Sequence, residues 1–486
     1  MLELRNVSFS YSGQTDGGLR SISLRIPNGE CVLLCGRSGC GKTTVTRLIN
    51  GLIPNFYPGT LEGEVLLDGK PIAEIPMYQI AGRVGSVFQN PRTQFFNVDT
   101  DSEIAFGIEN KALPPIELSR RVKLTSKELG IEGLQNRNIF QLSGGEKQKI
   151  AFASVYAMNP DVYLLDEPSS NLDMASIRAL GDYVRLIKSQ GKTILIAEHR
   201  LYYLMEVADR IVYLEQGEIA GSYTPREFCK LSGSERRKMG LRAIDLREES
   251  PECPAALQSG LTLELKDVSL FHKKRIILEH ISLKARQGEV IGVAGYNGAG
   301  KTTFSRALCG LHKECSGSFL WNDEPMNHKK RLRLSYLVMQ DVNYQLFAES
   351  VEAECTFGIK NPDRELTKQT MEELGLLSFR KRHPNTLSGG QKQRVATAVS
   401  LISGKELLIF DEPTSGLDYD SMAQVGGLIR TLAALGKIIF IVTHDYEFIC
   451  RTCTRVLHFN RGKMQDDFLV STENETKLRN LFSIDL

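Results

Sequence analysis

The stretch Gly36-Arg37-Ser38-Gly39-Cys40-Gly41-Lys42-Thr43-Thr44 decides the reading of this chain, because Gly295-Tyr296-Asn297-Gly298-Ala299-Gly300-Lys301-Thr302-Thr303 repeats it in the second half. Both copies fit the phosphate-loop pattern G-x-x-x-x-G-K-[ST]. Each follows an apolar, strand-like run (Cys31 to Cys35, Val290 to Ala294) and leads into a helix-like segment, which is the context the motif requires. Glycine lets the backbone turn so that successive N–H groups face phosphate oxygens, and the positive end of the following helix adds to that field. Lys42 and Lys301 supply a mobile cation for the outer phosphates. The hydroxyls of Thr43 and Thr302 are the groups that help hold a divalent cation.

Length and composition fit two such units. A chain of 486 residues exceeds what one hydrophobic core usually supports. With 60 basic against 58 acidic residues the net charge is +2, so the chain as a whole gives no electrostatic reason to bind nucleic acid or anionic lipid. Apolar runs such as Ile438 to Val442 fall far short of the roughly 20 residues a membrane helix needs. The alternating N-terminal stretch Met1 to Val7 lacks a signal-peptide core, so the expectation is a chain that stays in the cytosol. Ten cysteines, mostly inside apolar runs, read as reduced core residues. Cys450 and Cys453 have a metal-like spacing but no second pair, and read as helix residues.

The repeat extends over nearly the whole chain. Leu4, Val7 and Ser8 match Leu265, Val268 and Ser269, and Tyr11 falls on His272. An aromatic ring before a phosphate loop is placed either to stack on a nucleotide base or simply to pack. Next come Gln89 to Phe96 and Gln340 to Phe347, followed by the matched Glu103 and Glu354. A glutamine at a strand end is placed to touch Mg2+ or an attacking water. Leu142-Ser143-Gly144-Gly145 and Leu387-Ser388-Gly389-Gly390 open a helix that the serine would cap. Apolar strands then end in paired acids, Asp166-Glu167 and Asp411-Glu412. Carboxylates at the C-terminal end of a buried parallel strand face the phosphate site. The first suits Mg2+, and the second suits a water facing the γ-phosphate. One strand further on, His199 and His444 occupy matched positions.

Together these residues resemble the ATP-binding cassette family, twice over. The resemblance implies an α/β fold of two P-loop nucleotide-binding domains, each with a mainly parallel core sheet, an antiparallel β subdomain and a helical subdomain. The expected boundaries are 1–224 for the first domain, 225–260 for a linker of short helices and flexible chain, and 261–486 for the second. The resemblance further implies that the cofactors are ATP and Mg2+. Expected ATP contacts are Tyr11, Gly36, Ser38, Gly39, Gly41, Lys42, Thr43, Thr44, Ser143 and Gly145. Their partners in the second half are Gly295, Asn297, Gly298, Gly300, Lys301, Thr302, Thr303, Ser388 and Gly390. Mg2+ would be held by Thr43, Gln89 and Asp166, and by Thr302, Gln340 and Asp411. The catalytic set would be Glu167, His199 and Gln89, with Glu412, His444 and Gln340. In the family each phosphate loop is completed by the Leu-Ser-Gly-Gly segment of the other cassette, giving two composite sites.

Gln89 to Phe96, Glu103 to Gly107 and Glu198 to Leu201 are similar to the energy-coupling factor branch of the family. That likeness implies an ATPase at the cytoplasmic face of a membrane. It would drive import of a vitamin or metal ion with an energy-coupling transmembrane protein and a membrane subunit that binds substrate. Residues about 90 to 108 and 341 to 359 would form the docking grooves. The alternative is a soluble twin-cassette ATPase acting on ribosomes or nucleic acid. Against it stand the absence of a long heptad-patterned linker between Thr224 and Gly260 and the absence of inserted zinc-type cysteine pairs.

Overall fold

The computed structural model describes residues 1–13, 18–170, 172–252, 260–387 and 389–484. Contacts divide them into two units, Met1–Ile244 and Asp245–Leu486. In the first unit β1 (Leu2–Tyr11), β2 (Leu19–Ile26), β4 (Gly59–Leu67) and the short β5 (Lys70–Pro71) form an antiparallel sheet in the order β2-β1-β4-β5. The strands alternate buried and exposed residues, as a sheet covered on one face should.

Strands of the other kind build the core sheet: β3 (Cys31–Gly36), β6 (Val84–Val87), β7 (Val162–Asp166), β8 (Thr193–Ala197), β9 (Arg210–Glu215) and β10 (Glu218–Tyr223). Their order is β10-β9-β3-β8-β7-β6, parallel throughout except where β10 pairs antiparallel with β9. Every residue of β3, β7 and β8 is buried, which explains the apolar runs that fill them. Burying each large side chain in them contributes roughly 1.5–3 kcal/mol. The helices Thr100–Glu109, Pro115–Glu128 and Gly144–Met158 pack on one another as a helical part of the unit. Phe152, Tyr156 and Ile150 of the last of these join one core cluster with Tyr163 and Leu165 of β7.

The second unit repeats this plan. Its antiparallel sheet runs in the order β12 (Arg275–Arg286), β11 (Thr262–His272), β14 (Cys315–Trp321), β15 (Glu324–Pro325). Its core sheet comprises β13 (Val290–Ala294), β16 (Ser335–Val338), β17 (Leu407–Asp411), β18 (Ile438–Val442), β19 (Arg455–Asn460) and β20 (Lys463–Leu469), ordered β16-β17-β18-β13-β19-β20. Again only the last pair is antiparallel. Both units have the fold class expected from the repeated motifs.

The stretch between the sheets is bound to its neighbours. Helices Pro225–Phe228 and Gly233–Lys238 each begin with a capping box, and Phe228, Leu241 and Ile244 belong to a core cluster of the first unit. Residues 245–252 pack on the second unit, where Arg451 pairs with Glu249 at 2.5 Å and with Glu252 at 3.0 Å. Residues 253–259 lie outside the described residues. Cys450 lies in the Tyr446–Thr452 helix and Cys453 just after it; both are buried. Among the described residues no group of three or more His, Cys, Asp or Glu could hold a metal on its own, and no helix is long and apolar enough to cross a membrane.

Candidate functional site

Strand ends bring the motifs of the first unit together. The phosphate loop joins β3 to the helix Lys42–Ile49. Its glycines hold backbone angles that L side chains rarely adopt, with φ of 146° at Gly36, 80° at Gly39 and 104° at Gly41. A Cβ on Gly36 would stand 2.2 Å from the Leu214 carbonyl oxygen. Lys42 is buried and folds its ammonium back on the loop, donating to the carbonyls of Gly36 at 3.0 Å and Arg37 at 3.1 Å. The same ammonium lies 3.3 Å from Nε2 of His199. Thr43 donates its hydroxyl to Oδ1 of Asp166 at 3.0 Å, and Gln89 donates its amide to Oε2 of Glu167 at 2.6 Å. His199 Nε2 stands 3.4 Å from Oε1 of Glu167. Lys42, Thr43, Gln89, Asp166, Glu167 and His199 therefore surround one small region at the C-terminal ends of β3, β6, β7 and β8.

The second unit arranges the matched residues in the same way. Gly295, Gly298 and Gly300 have φ of 147°, 82° and 97°, and Lys301 donates to the carbonyls of Gly295 at 2.7 Å and Tyr296 at 3.0 Å. Thr302 hydrogen bonds to Asp411. His444 Nε2 lies 3.5 Å from Oε1 of Glu412 and 3.2 Å from Oδ1 of Asn297, the loop residue that replaces Ser38. Gln340 is exposed just beyond β16.

Two physical features distinguish these acids from ordinary strand-end carboxylates. Glu167 and Glu412 both sit in the left-handed backbone region, at φ 45° and 51°. Non-glycine residues persist there only where the surroundings determine the conformation, and such positions cluster at functional sites. Burial, reinforced by the charge of Glu167, pushes the Asp166 carboxyl up to about 7. Asp411 is raised as well, by burial, against the opposing Thr302 hydrogen bond and Lys301 charge. Both acids therefore ionise reluctantly until a cation approaches. A hydroxyl, a buried carboxylate and an exposed amide form an oxygen donor set that fits Mg2+, which is typically held by one or two carboxylates together with substrate phosphates.

Other expected contacts are placed less directly. Ser38 and Gly39 are exposed on the first loop, and Thr303 is half-buried. Thr44 is buried, and its hydroxyl meets that of Tyr11 at 3.1 Å. The Tyr11 ring packs edge-on against Phe9 and Tyr57, with centroids 4.8 and 6.3 Å away. Its packing role is thus visible. Ser143 caps the helix Gly144–Met158 through a complete capping box, donating to Glu146 Oε2 at 2.8 Å and accepting from the Glu146 amide at 3.3 Å. Gly145 is buried in the first turn, and Gly390 is half-buried at the start of the helix Gly389–Ile402. Ser388 lies outside the described residues.

Two arginines beside the first loop were not singled out by the motif pattern. Arg37 donates to the Lys238 carbonyl at 2.6 Å and pairs with Glu215 at 3.1 Å. Arg47 donates to the Tyr11 hydroxyl at 3.0 Å, with its guanidinium 4.0 Å from the Tyr57 ring centroid. Their signal is weak, since Arg37 occupies a free position of the loop and Arg47 has a counterpart, Arg306, without a matching tyrosine pair.

Fold and site together define a protein with two nucleotide-binding P-loop domains in one chain. The model of the ABC transporter family matches residues 19–170 and 278–415, more than half of the chain, and the chain belongs to that family. It is similar to two Treponema denticola proteins, each named "Putative ABC transporter ATP-binding protein". The first is 49% identical over 486 residues, covering 99% of both chains. The second is 41% identical, covering 96% of this chain and 97% of the relative. The fold is also that of ABCE1 in a model of ribosome-bound archaeal Pelota and ABCE1. There the TM-score is 0.71 at 23% identity, covering 98% of this chain and 80% of the other. Membership implies a cassette that binds and hydrolyses ATP.

Proposed function

We propose that this chain is the ATP-hydrolysing subunit of a membrane importer, of energy-coupling factor type for a vitamin or metal ion. On this reading it works at the cytoplasmic face of the membrane with separate transmembrane subunits. A surface built alike in both units supports the reading. In the first unit Phe96 stacks on Phe106 at 4.7 Å, with 73% and 37% of the two residues exposed. The loop that carries Phe96 is fixed by Glu103, whose buried carboxylate accepts from the amides of Phe96 at 3.0 Å and Asn97 at 2.8 Å. In the second unit Phe347 and Phe357 are 70% and 64% exposed, and Glu354 accepts from the amides of Phe347 and Ala348. Exposed aromatic pairs on a supported loop suit a protein partner. Gln89 begins the same loop and touches Glu167, so a partner seated there has a short mechanical route to the hydrolytic acid.

Within each site the residues take these roles. Lys42 and Lys301 leave their loop carbonyls for phosphate oxygens. Thr43 with Asp166, and Thr302 with Asp411, would hold Mg2+, which would neutralise charge on the phosphates, and Gln89 and Gln340 would serve the same ion or the attacking water. Glu167 and Glu412 orient and polarise that water, and His199 and His444 hold the outer phosphate. Both sites carry the full set, so both hydrolyse ATP.

The test is co-purification of the tagged chain from its native membranes. Recovery of integral membrane proteins in fixed ratio, released by charge reversal at Glu103 or Glu354, is the expected result. Recovery with ribosomes and no membrane protein would overturn the importer reading in favour of a soluble twin-cassette ATPase.

A further inference from the structure

The first unit buries two charged side chains that the catalytic set does not use. Glu198 is 2% exposed and Arg200 is 7% exposed, and they flank His199. Glu198 Oε1 accepts from the amides of His199 at 2.7 Å and Arg200 at 3.2 Å, while Oε2 accepts from the amide of Ser169 at 3.2 Å and the hydroxyl of Tyr203 at 2.9 Å. Arg200 donates through Nη1 to the carbonyls of Ser169 at 3.2 Å and Leu172 at 3.3 Å. Both backbone groups of Ser169 are therefore taken by the residues on either side of His199. Ser169 follows Glu167 by two positions, so the network ties the loop after the hydrolytic acid to the backbone that carries the histidine.

The second unit solves the same junction differently. Thr443 and Asp445 flank His444, and Asp445 accepts from the Thr414 hydroxyl at 2.8 Å and from the Phe448 amide at 3.2 Å. A hydroxyl–carboxylate contact stands where the first unit has a guanidinium on two carbonyls. Buried polar networks whose members are satisfied fix one conformation, and losing a single partner leaves the others uncompensated.

We propose that Glu198 and Arg200 are positioning residues particular to the first ATP site, a tether that holds His199 and Glu167 in register by clamping Ser169 and Leu172. The proposal rests on the reading that Glu167 and His199 serve that site. It implies that the two sites differ in how their hydrolytic ends are held, although their catalytic residues are the same.

The experiment uses the full chain carrying Glu412→Gln, so that remaining turnover reports the first site. In that background Arg200→Lys keeps the charge but carries its donor on a stem one bond shorter than the one that brings Nη1 to both carbonyls. We expect kcat to fall about tenfold with the KM for ATP within about twofold of its starting value. Hydrogen exchange should quicken at Ser169 and Leu172 and stay unchanged in Val162–Asp166, which shows that the sheet is intact. Glu198→Gln, which keeps the shape and one acceptor, should give a smaller loss of the same kind and serves if the lysine variant does not fold. Unchanged kcat in both variants, or a change confined to KM, would overturn the tether alone. Turnover that survived Glu167→Gln in this background would overturn the site assignment and the tether with it.

Discussion

Nε2 of His199 lies 3.3 Å from the ammonium of Lys42. The same nitrogen lies 3.4 Å from Oε1 of Glu167, so His199 stands between the loop lysine and the strand-end acid. In the second unit Nε2 of His444 lies 3.2 Å from the Asn297 oxygen and 3.5 Å from Oε1 of Glu412. On the proposed site assignment, nucleotide draws Lys42 off both its loop carbonyls and its histidine. His199→Ala, measured with the second site silenced, should lower kcat about a hundredfold, the scale of a lost proton-handling or phosphate-orienting group. ATP affinity, measured by equilibrium binding, should change little.

Gly36 and Gly295 should tolerate no side chain. A Cβ would come within 2.2 Å of the Leu214 oxygen in one case and the Phe459 oxygen in the other, both backbone atoms of the neighbouring strand. Gly36→Ala should abolish ATP binding at the first site and lower the thermal midpoint of the first unit, read by nucleotide titration and calorimetry.

How far the sequence reaches can be judged from these residues. The loops, acids and histidines were legible because each motif names residues whose chemistry is local, and each has a second copy at the matched position. The fully apolar strands were legible for a similar reason, since β3, β7 and β8 are buried on both faces and admit little else. Contacts between distant segments were not. Nothing in the spacing of Ser169 and Arg200 says that one grips the other, because the bond depends on how β7 and β8 lie side by side. Ser143 shows the same limit from the other direction. Its helix cap follows from local sequence, whereas the phosphate contact that the family resemblance implies for it does not.

Glu103 should matter twice. Glu103→Ala leaves the amides of Phe96 and Asn97 without their buried acceptor. The expected cost is about 1–3 kcal/mol, read as a shift in denaturant midpoint. On the importer reading the same substitution should reduce recovery of membrane partners, while Glu103→Gln, which retains an acceptor, should lose less of both.

Asp99 caps the helix Thr100–Glu109 by accepting from the Ser102 amide at 2.9 Å, and that hydrogen bond lowers its carboxyl below the usual range. A depressed carboxyl contributes stability that is present above the unfolded value near 4 and is lost as pH falls through the folded value. Asp99→Ala should therefore cost about 1 kcal/mol at pH 7. The gap between variant and parent should narrow as the pH drops below about 4, as followed by urea unfolding.

On the proposed reading one chain carries two working hydrolytic sites. Steady-state ATP turnover of Glu167→Gln, Glu412→Gln and the double variant counts them. Each single substitution should lower turnover by at least about half and the double substitution should leave almost none, with ATP still bound in all three. Turnover unchanged in Glu167→Gln but abolished in Glu412→Gln would contradict the account.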